Sequence, residues 1–217
     1  MSDQISNSDS GPSPLPGNSS QTLVLASGSQ TRKQLLAQAG LSLLCDPPAI
    51  DEEEIKLGLK AANATARQVA ETLAELKAQR ISRRHPGAFV AGGDQMLACQ
   101  DRWFDKPKNL EEVKAHLQAL SGKTHSLETA VAVVRDGQRL WHHNTVARLT
   151  VRPLSPAFID AYVAEVGDRA LTSVGGYQLE GPGVQLFSRI EGDFFTILGL
   201  PLLPLLAFLR ENGFLMK

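Results

Sequence analysis

Two glycines directly before an acid, Gly92-Gly93-Asp94-Gln95, put a permissive backbone beside a carboxylate. Glycine lets a main chain come close to a ligand, and a carboxylate there can hold a metal or take a proton from water. Read alone, Asp94 is equally an ordinary turn aspartate. Ser27-Gly28-Ser29, followed by Arg32 and Lys33, sits where a strand should give way to a helix. Free N–H groups and the helix dipole at such a junction attract phosphate, although a plain serine N-cap with solvated basic residues would look the same. Lys77, Lys106 and the acidic run 51–54 read singly as solvated charges. Other candidates fall away. Ser121-Gly122-Lys123-Thr124 has Leu117 where a P-loop needs glycine, and a helix upstream where that motif needs a strand. His142-His143 lacks zinc-ligand spacing, and Cys99 has no evident partner base.

The elements that must position these residues follow from hydrophobic spacing. Residues 22–27 form a short apolar run, and 30–39 carry Leu35, Leu36 and Ala39 on one helical face up to Gly40 as the C-cap. A second strand over 41–45 ends at Pro47-Pro48, and an acidic loop at 51–54 follows. Val69, Ala70, Leu73 and Leu76 mark a helix over 64–84, stopped at His85-Pro86-Gly87. A buried strand over 88–92 then delivers Asp94 at its carboxyl end, where α/β proteins commonly build sites. Asn109 caps a helix over 109–120. Segments 124–134 and 140–151 form a long hairpin around Asp136-Gly137. Ser155-Pro156 opens another helix, glycines crowd 175–183, and an apolar helix ends the chain. This order, without an internal repeat, indicates α/β architecture: a mixed, curved β-sheet flanked by helices.

Composition narrows the function classes. Hydrophobic residues make up 42% of the 217-residue chain and charged residues 21%, both ordinary for a globular protein. With 22 basic against 23 acidic residues, the net charge of -1 argues against a broad basic face and a stable nucleic-acid partner. Any anion site must be a local cluster. Residues 1–21 are rich in Ser, Gly, Pro and Asn and read as a disordered tail, leaving 22–217 as one domain. No stretch is long and apolar enough to predict a membrane span, and two distant cysteines, Cys45 and Cys99, suit a reducing cytoplasm.

Taken together, several stretches resemble the Maf-like family of nucleoside triphosphate pyrophosphatases, the septum formation inhibitor Maf family. They are LASGSQTRKQLL (25–36), IDEEE (50–54), GGDQ (92–95), DKP (105–107), LSGKTH (120–125), GGYQLEG (175–181) and IEGDFFTILGLPL (190–202), in family order over nearly the whole chain after residue 21. The resemblance implies a Maf/ITPase-like fold with a deep nucleotide-binding cleft, cleavage between the α and β phosphates, a divalent metal (Mg²⁺ or Mn²⁺), and commonly a homodimer. It makes Asp94 the general base or water-positioning acid, and gives Ser29, Arg32, Lys77 and Lys106 to the substrate and Glu52 with Asp94 to the metal. A triphosphate carries about four negative charges near neutral pH, and such cations and a metal disperse them.

The chain departs from the family pattern at positions that resemble base-selecting ones. Thr31 stands where many members have the first arginine of Ser-Pro-Arg-Arg. Gln95 follows the aspartate, and Glu180 stands where the thymidine and uridine triphosphate group has glutamine. Gln95 and Glu180 both lean toward 7-methylguanosine triphosphate, while Thr31 fits neither group. The rival readings are a non-catalytic nucleotide-binding regulator of cell division and a generic phosphatase releasing orthophosphate.

Overall fold

The computed structural model describes residues 21–217, so the expected tail lies outside the described residues except for Gln21. Strand β1 (Leu23–Ala26) is wholly buried and runs into helix α1 (Gln30–Gln38), whose N-cap Ser29 accepts a hydrogen bond from the Arg32 amide. After β2 (Leu43–Cys45) come α2 (Glu52–Ala61) and α3 (Ala66–Ser82), the latter opened by a capping box between Thr65 and Gln68. Next are β3 (Val90–Cys99), β4 (Arg102–Phe104) and α4 (Leu110–Leu120), capped by Asn109. The hairpin of β5 (Thr124–Arg135) and β6 (Gln138–Val151) turns through Asp136 and Gly137, both at positive φ, as a two-residue hairpin turn requires. The chain closes with α5 (Pro156–Val166), a run of 3₁₀ turns from Gly167 to Leu186, β7 (Phe187–Glu191), the short α6 (Phe194–Ile197) and α7 (Leu202–Glu211).

The strands form one seven-stranded sheet in the order β2-β1-β3-β5-β6-β7, with β4 on the free edge of β3. β1 runs parallel to β2 and β3, and every other pairing is antiparallel. Alternation along the strands sends side chains to opposite faces. Val90, Ala130, Ala132 and Val134 meet α3, whereas Leu23, Leu25, Ala91, Val131 and Val133 meet α1 and α7 through Leu36, Leu205 and Phe208. Farther along that second face, Leu97, Leu127 and Leu149 pack against α4 and α5 through Val113, Leu117, Ile159 and Val163. Two hydrophobic cores therefore share one face, and Gln95 lies between them.

The strand edge is open at the same place. β1 pairs with β3 only over Val90–Gly92, and β4 pairs with it only over Leu97–Cys99. Residues 93–96 have a neighbour on the β5 side alone. A cleft opens in that gap, and because it is reached from the edge, residues of both faces line it.

Two expectations are corrected. Asp94 is not in a turn at the end of a strand but in the middle of a ten-residue one; only its parallel neighbour β1 stops there. The glycines serve close packing instead. A Cβ on Gly92 would lie 2.2 Å from the Ala74 carbonyl oxygen and 2.8 Å from the Ala78 nitrogen, so α3 rests directly on the strand. The acidic run is likewise not a loop: Asp51 is the N-cap of α2, its carboxylate accepting from the Glu54 amide at 2.9 Å, and Glu52, Glu53 and Glu54 fill the first turn, where the dipole favours acids.

Candidate active site

The close contact at Gly92 fixes the site's central interaction. Between Ala74 and Ala78 on α3 lies Lys77, only 6% exposed, and its Nζ donates to Asp94 Oδ1 at 2.6 Å. The same ammonium lies 2.9 Å from Glu52 Oε1 at the start of α2. A buried lysine needs such partners, because removing a lone charge from water is costly. Asp94 is also 6% exposed, and its second oxygen, Oδ2, is buried without a hydrogen-bond partner. Burial raises the Asp94 pKa above the usual carboxylate value, while Lys77 and Arg32 pull it down and Glu52 adds to the rise. Asp94 thus lines the cleft with one carboxylate oxygen held by Lys77 and the other without a hydrogen-bond partner.

Arg32 enters from α1, its Nε donating to the Gly199 carbonyl at 2.7 Å and Nη1 to Ser27 Oγ at 3.2 Å. Burial lowers its pKa and Asp94 and Glu52 oppose that shift, so the guanidinium stays charged. Across the gap, Lys106 follows β4 and forms no ion pair among the described residues. Burial, then the positive charges of Arg32 and Lys77, depress its pKa, with Glu52 and Asp94 acting the other way. Lys106 thus lines the cleft without an ion-pair partner among the described residues.

These groups line one cleft of about 530 Å³. Ser29, Thr31, Arg32, Glu52, Lys77, Asp94, Gln95, Lys106 and Glu180, the residues singled out from sequence, all lie on its wall. Gln95 is already engaged: its Nε2 donates to Thr129 Oγ1 and the Thr196 carbonyl, each at 2.9 Å, and approaches the Ile197 carbonyl at 3.2 Å. That pins α6 to the sheet and leaves the Gln95 carbonyl oxygen for a ligand. Glu180 is exposed, in the glycine-rich wall beside Gln178 and Tyr177. The sequence reading did not single out Lys56 or the role of Asp105. They pair at 2.5 Å across the cleft mouth, and Lys56 lies one turn after Glu52.

The model for the Maf-like protein family matches residues 22–212. The chain belongs to that family. It is 55% identical over 190 residues to a protein of Paramagnetospirillum magneticum named nucleoside triphosphate pyrophosphatase, covering 88% of this chain and 98% of that one. A protein of the same name from Hyphomonas neptunium is 53% identical over 191 residues, covering 88% and 96%. A Rhizobium meliloti relative named 7-methyl-GTP pyrophosphatase is 50% identical over 191 residues, again covering 88% of this chain and 96% of its own. The gap in the sheet edge, the α1 N-terminus and the 92–95 stretch all fall within the matched residues.

Proposed function

We infer that this Maf-like protein is a nucleoside triphosphate pyrophosphatase, releasing a nucleoside monophosphate and pyrophosphate. The observation that carries the reading is the buried, unpartnered Oδ2 of Asp94 in a cleft flanked by Arg32 and Lys106. The Asp94 carboxylate accepts a proton from water as the water oxygen bonds to the α-phosphorus. The bond from that phosphorus to the bridging oxygen breaks, and pyrophosphate leaves with the electron pair. Lys77 holds the carboxylate by Oδ1, so Oδ2 is the oxygen presented to the water. Arg32 and Lys106 face the charge that builds on the phosphates, through the electrostatic stabilisation that carries much of phosphoryl-transfer catalysis.

A divalent cation fits the donor set. Among the described residues no three His, Cys, Asp or Glu side chains cluster as metal ligands, but Glu52 and Asp94, both on the Lys77 ammonium, supply two carboxylates. Mg²⁺ is commonly held by one or two carboxylates with substrate phosphates and water, and Mn²⁺ accepts similar oxygen donors. Such an ion would supply positive charge to the phosphate oxygens and lower the pKa of a bound water.

The finer reading is a guanine base, as in 7-methyl-GTP. Gln95 offers only its carbonyl oxygen and Glu180 only carboxylate oxygens, and a guanine edge presents donors at N1 and the amino group. A cytoplasmic setting suits its two free cysteines; no helix among the described residues is long and apolar enough to cross a membrane. The test is a panel of 7-methyl-GTP, GTP, UTP, dTTP and CTP with Mg²⁺ or Mn²⁺, with phosphorus NMR identifying the released ion. Pyrophosphate with monophosphate supports the assignment. Orthophosphate would instead indicate a phosphatase, and tight binding without turnover a nucleotide-binding regulator.

A further inference from the structure

Helix α2 carries Glu52, Lys56 and Lys60 at four-residue spacing, hence along one side of the helix. Each reaches a different element. Glu52 pairs with Lys77 of α3, Lys56 Nζ lies 2.5 Å from Asp105 Oδ1 just after β4, and Lys60 Nζ sits 5.4 Å from the ring centre of Trp103 within β4. No residue of α2 is fully buried; this row of polar contacts, with half-buried Ile55 and Leu59 packed against the core at α3, sets where the helix lies. The middle member faces the cleft. Lys56 and Asp105 both line it, next to Lys106 and the Asp94–Lys77–Glu52 cluster.

We propose that Lys56 is a further phosphate-binding cation of the cleft, held on Asp105 until a triphosphate replaces that carboxylate. The two partners are unequal. The Asp105 side chain is 63% exposed, and an ion pair so open to water is weak. Phosphate oxygens inside the cleft carry more charge and are better shielded, and they form charge-assisted bonds of the stronger kind. Lys56 itself is only 21% exposed. Burial works against its charge, but the bond and charge of Asp105, with the nearby charges of Asp94 and Glu52, outweigh that and keep it protonated. The exchange needs no movement of the helix, because Glu52 and Lys60 anchor α2 one turn to either side of Lys56. Asp105 then competes with the substrate for a single ammonium.

This inference rests on the triphosphate reading, and it makes the two partners' substitutions act in opposite directions. Lys56→Ala should raise KM for the best nucleotide about tenfold or more, the scale of losing one charge-assisted contact, and weaken binding of α,β-methylene-GTP alike. Lys56→Arg should restore most of that loss. Asp105→Asn keeps the shape and removes the competitor, so KM and the Kd of the analogue should fall by roughly two- to fivefold, the strength of an exposed pair. A merely structural clasp would make both variants raise KM together, and that outcome overturns the proposal, as does an unchanged KM in Lys56→Ala. If wild-type protein neither hydrolyses the panel nor binds the analogue, the triphosphate reading itself has failed, which is a different result from a functional wild type with an indifferent Lys56.

Discussion

At the scale of single residues, Asp94 and Lys77 form a coupled unit whose parts can be separated by pH. Asp94→Asn removes the proton-accepting oxygen while keeping the side chain's size, and kcat should fall at least ~100-fold, the usual weight of general-base catalysis. A folded Asn variant with near-normal kcat would remove Asp94 from that role. Lys77→Met tests positioning. Burial already raises the Asp94 pKa, and Lys77 is the largest influence pulling it down. Removing that positive charge must raise the pKa further, since a neighbouring cation favours the ionised carboxylate. Activity needs the ionised form, so the acid limb of the kcat/KM profile should move to higher pH in Lys77→Met. A uniform loss at every pH, with the limb in place, would mean that Lys77 acts on the substrate alone. Lys77 was legible in the sequence only as a resemblance, because a lysine on an amphipathic helix looks solvated until its partners are known. Its contacts with Asp94 and Glu52 come from segments that the sequence holds 17 and 25 residues away, a separation no local pattern reports.

At the scale of elements, most helices and strands were readable from their periodicity, and the exceptions have physical causes. α2 buries no residue fully and has only a short apolar stripe, Ile55 and Leu59, half-buried against the core at α3, so its acidic first turn dominates and reads as a charged loop. β3 is longer than expected because Gly92-Gly93 looks like a turn, whereas these glycines make room for neighbours on the two faces of a continuing strand. The two positions differ in what they accommodate. At Gly92 a Cβ meets helix backbone at 2.2 Å, which cannot yield without shifting α3; at Gly93 it meets only side-chain atoms within 3.4 Å, Arg32 Nε at 3.2 Å and Cδ at 3.4 Å. Gly92→Ala should therefore destabilise the fold by about 2–3 kcal/mol, the range for overpacking, and lower Tm by roughly 5–10 °C. Gly93→Ala should leave Tm within about 3 °C of wild type and weaken substrate binding by displacing the guanidinium. Thermal melts of both, with KM for the second, check the contrast; equal melts would mean that α3 does not press on the strand.

At the scale of the whole molecule, the cleft exists because two cores occupy opposite ends of one sheet face and a gap in the edge lies between them. Its glycine-rich wall, 167–186, has little regular structure, and what fastens it to the sheet is a buried aromatic group. His125 of β5 lies 2.6 Å from the Tyr177 hydroxyl through Nε2, with Phe187 packed against both rings. The sequence carried both residues inside family-like stretches, yet nothing in their spacing joined positions 125 and 177. His125 is 2% exposed, and burial depresses its pKa to about 4. An unfolded chain holds a histidine near 6.5, so between these values the unfolded state binds a proton that the folded state refuses. The stabilising effect of keeping His125 neutral is complete above about pH 6.5 and is lost as the pH falls toward 4. From about pH 7.5 to about pH 5 the linkage amounts to on the order of 2 kcal/mol. Urea unfolding at those two values should show such a fall in wild type. His125→Phe keeps a ring in the core and leaves the tyrosine hydroxyl unpaired, so it should be less stable at pH 7.5 but lose correspondingly less on acidification. Other groups, including His116, whose pKa burial also lowers, contribute equally to both proteins and cancel in the comparison. Parallel pH dependences in wild type and variant would show that His125 takes up its proton without unfolding, and that the wall is not held to the sheet by a neutral imidazole.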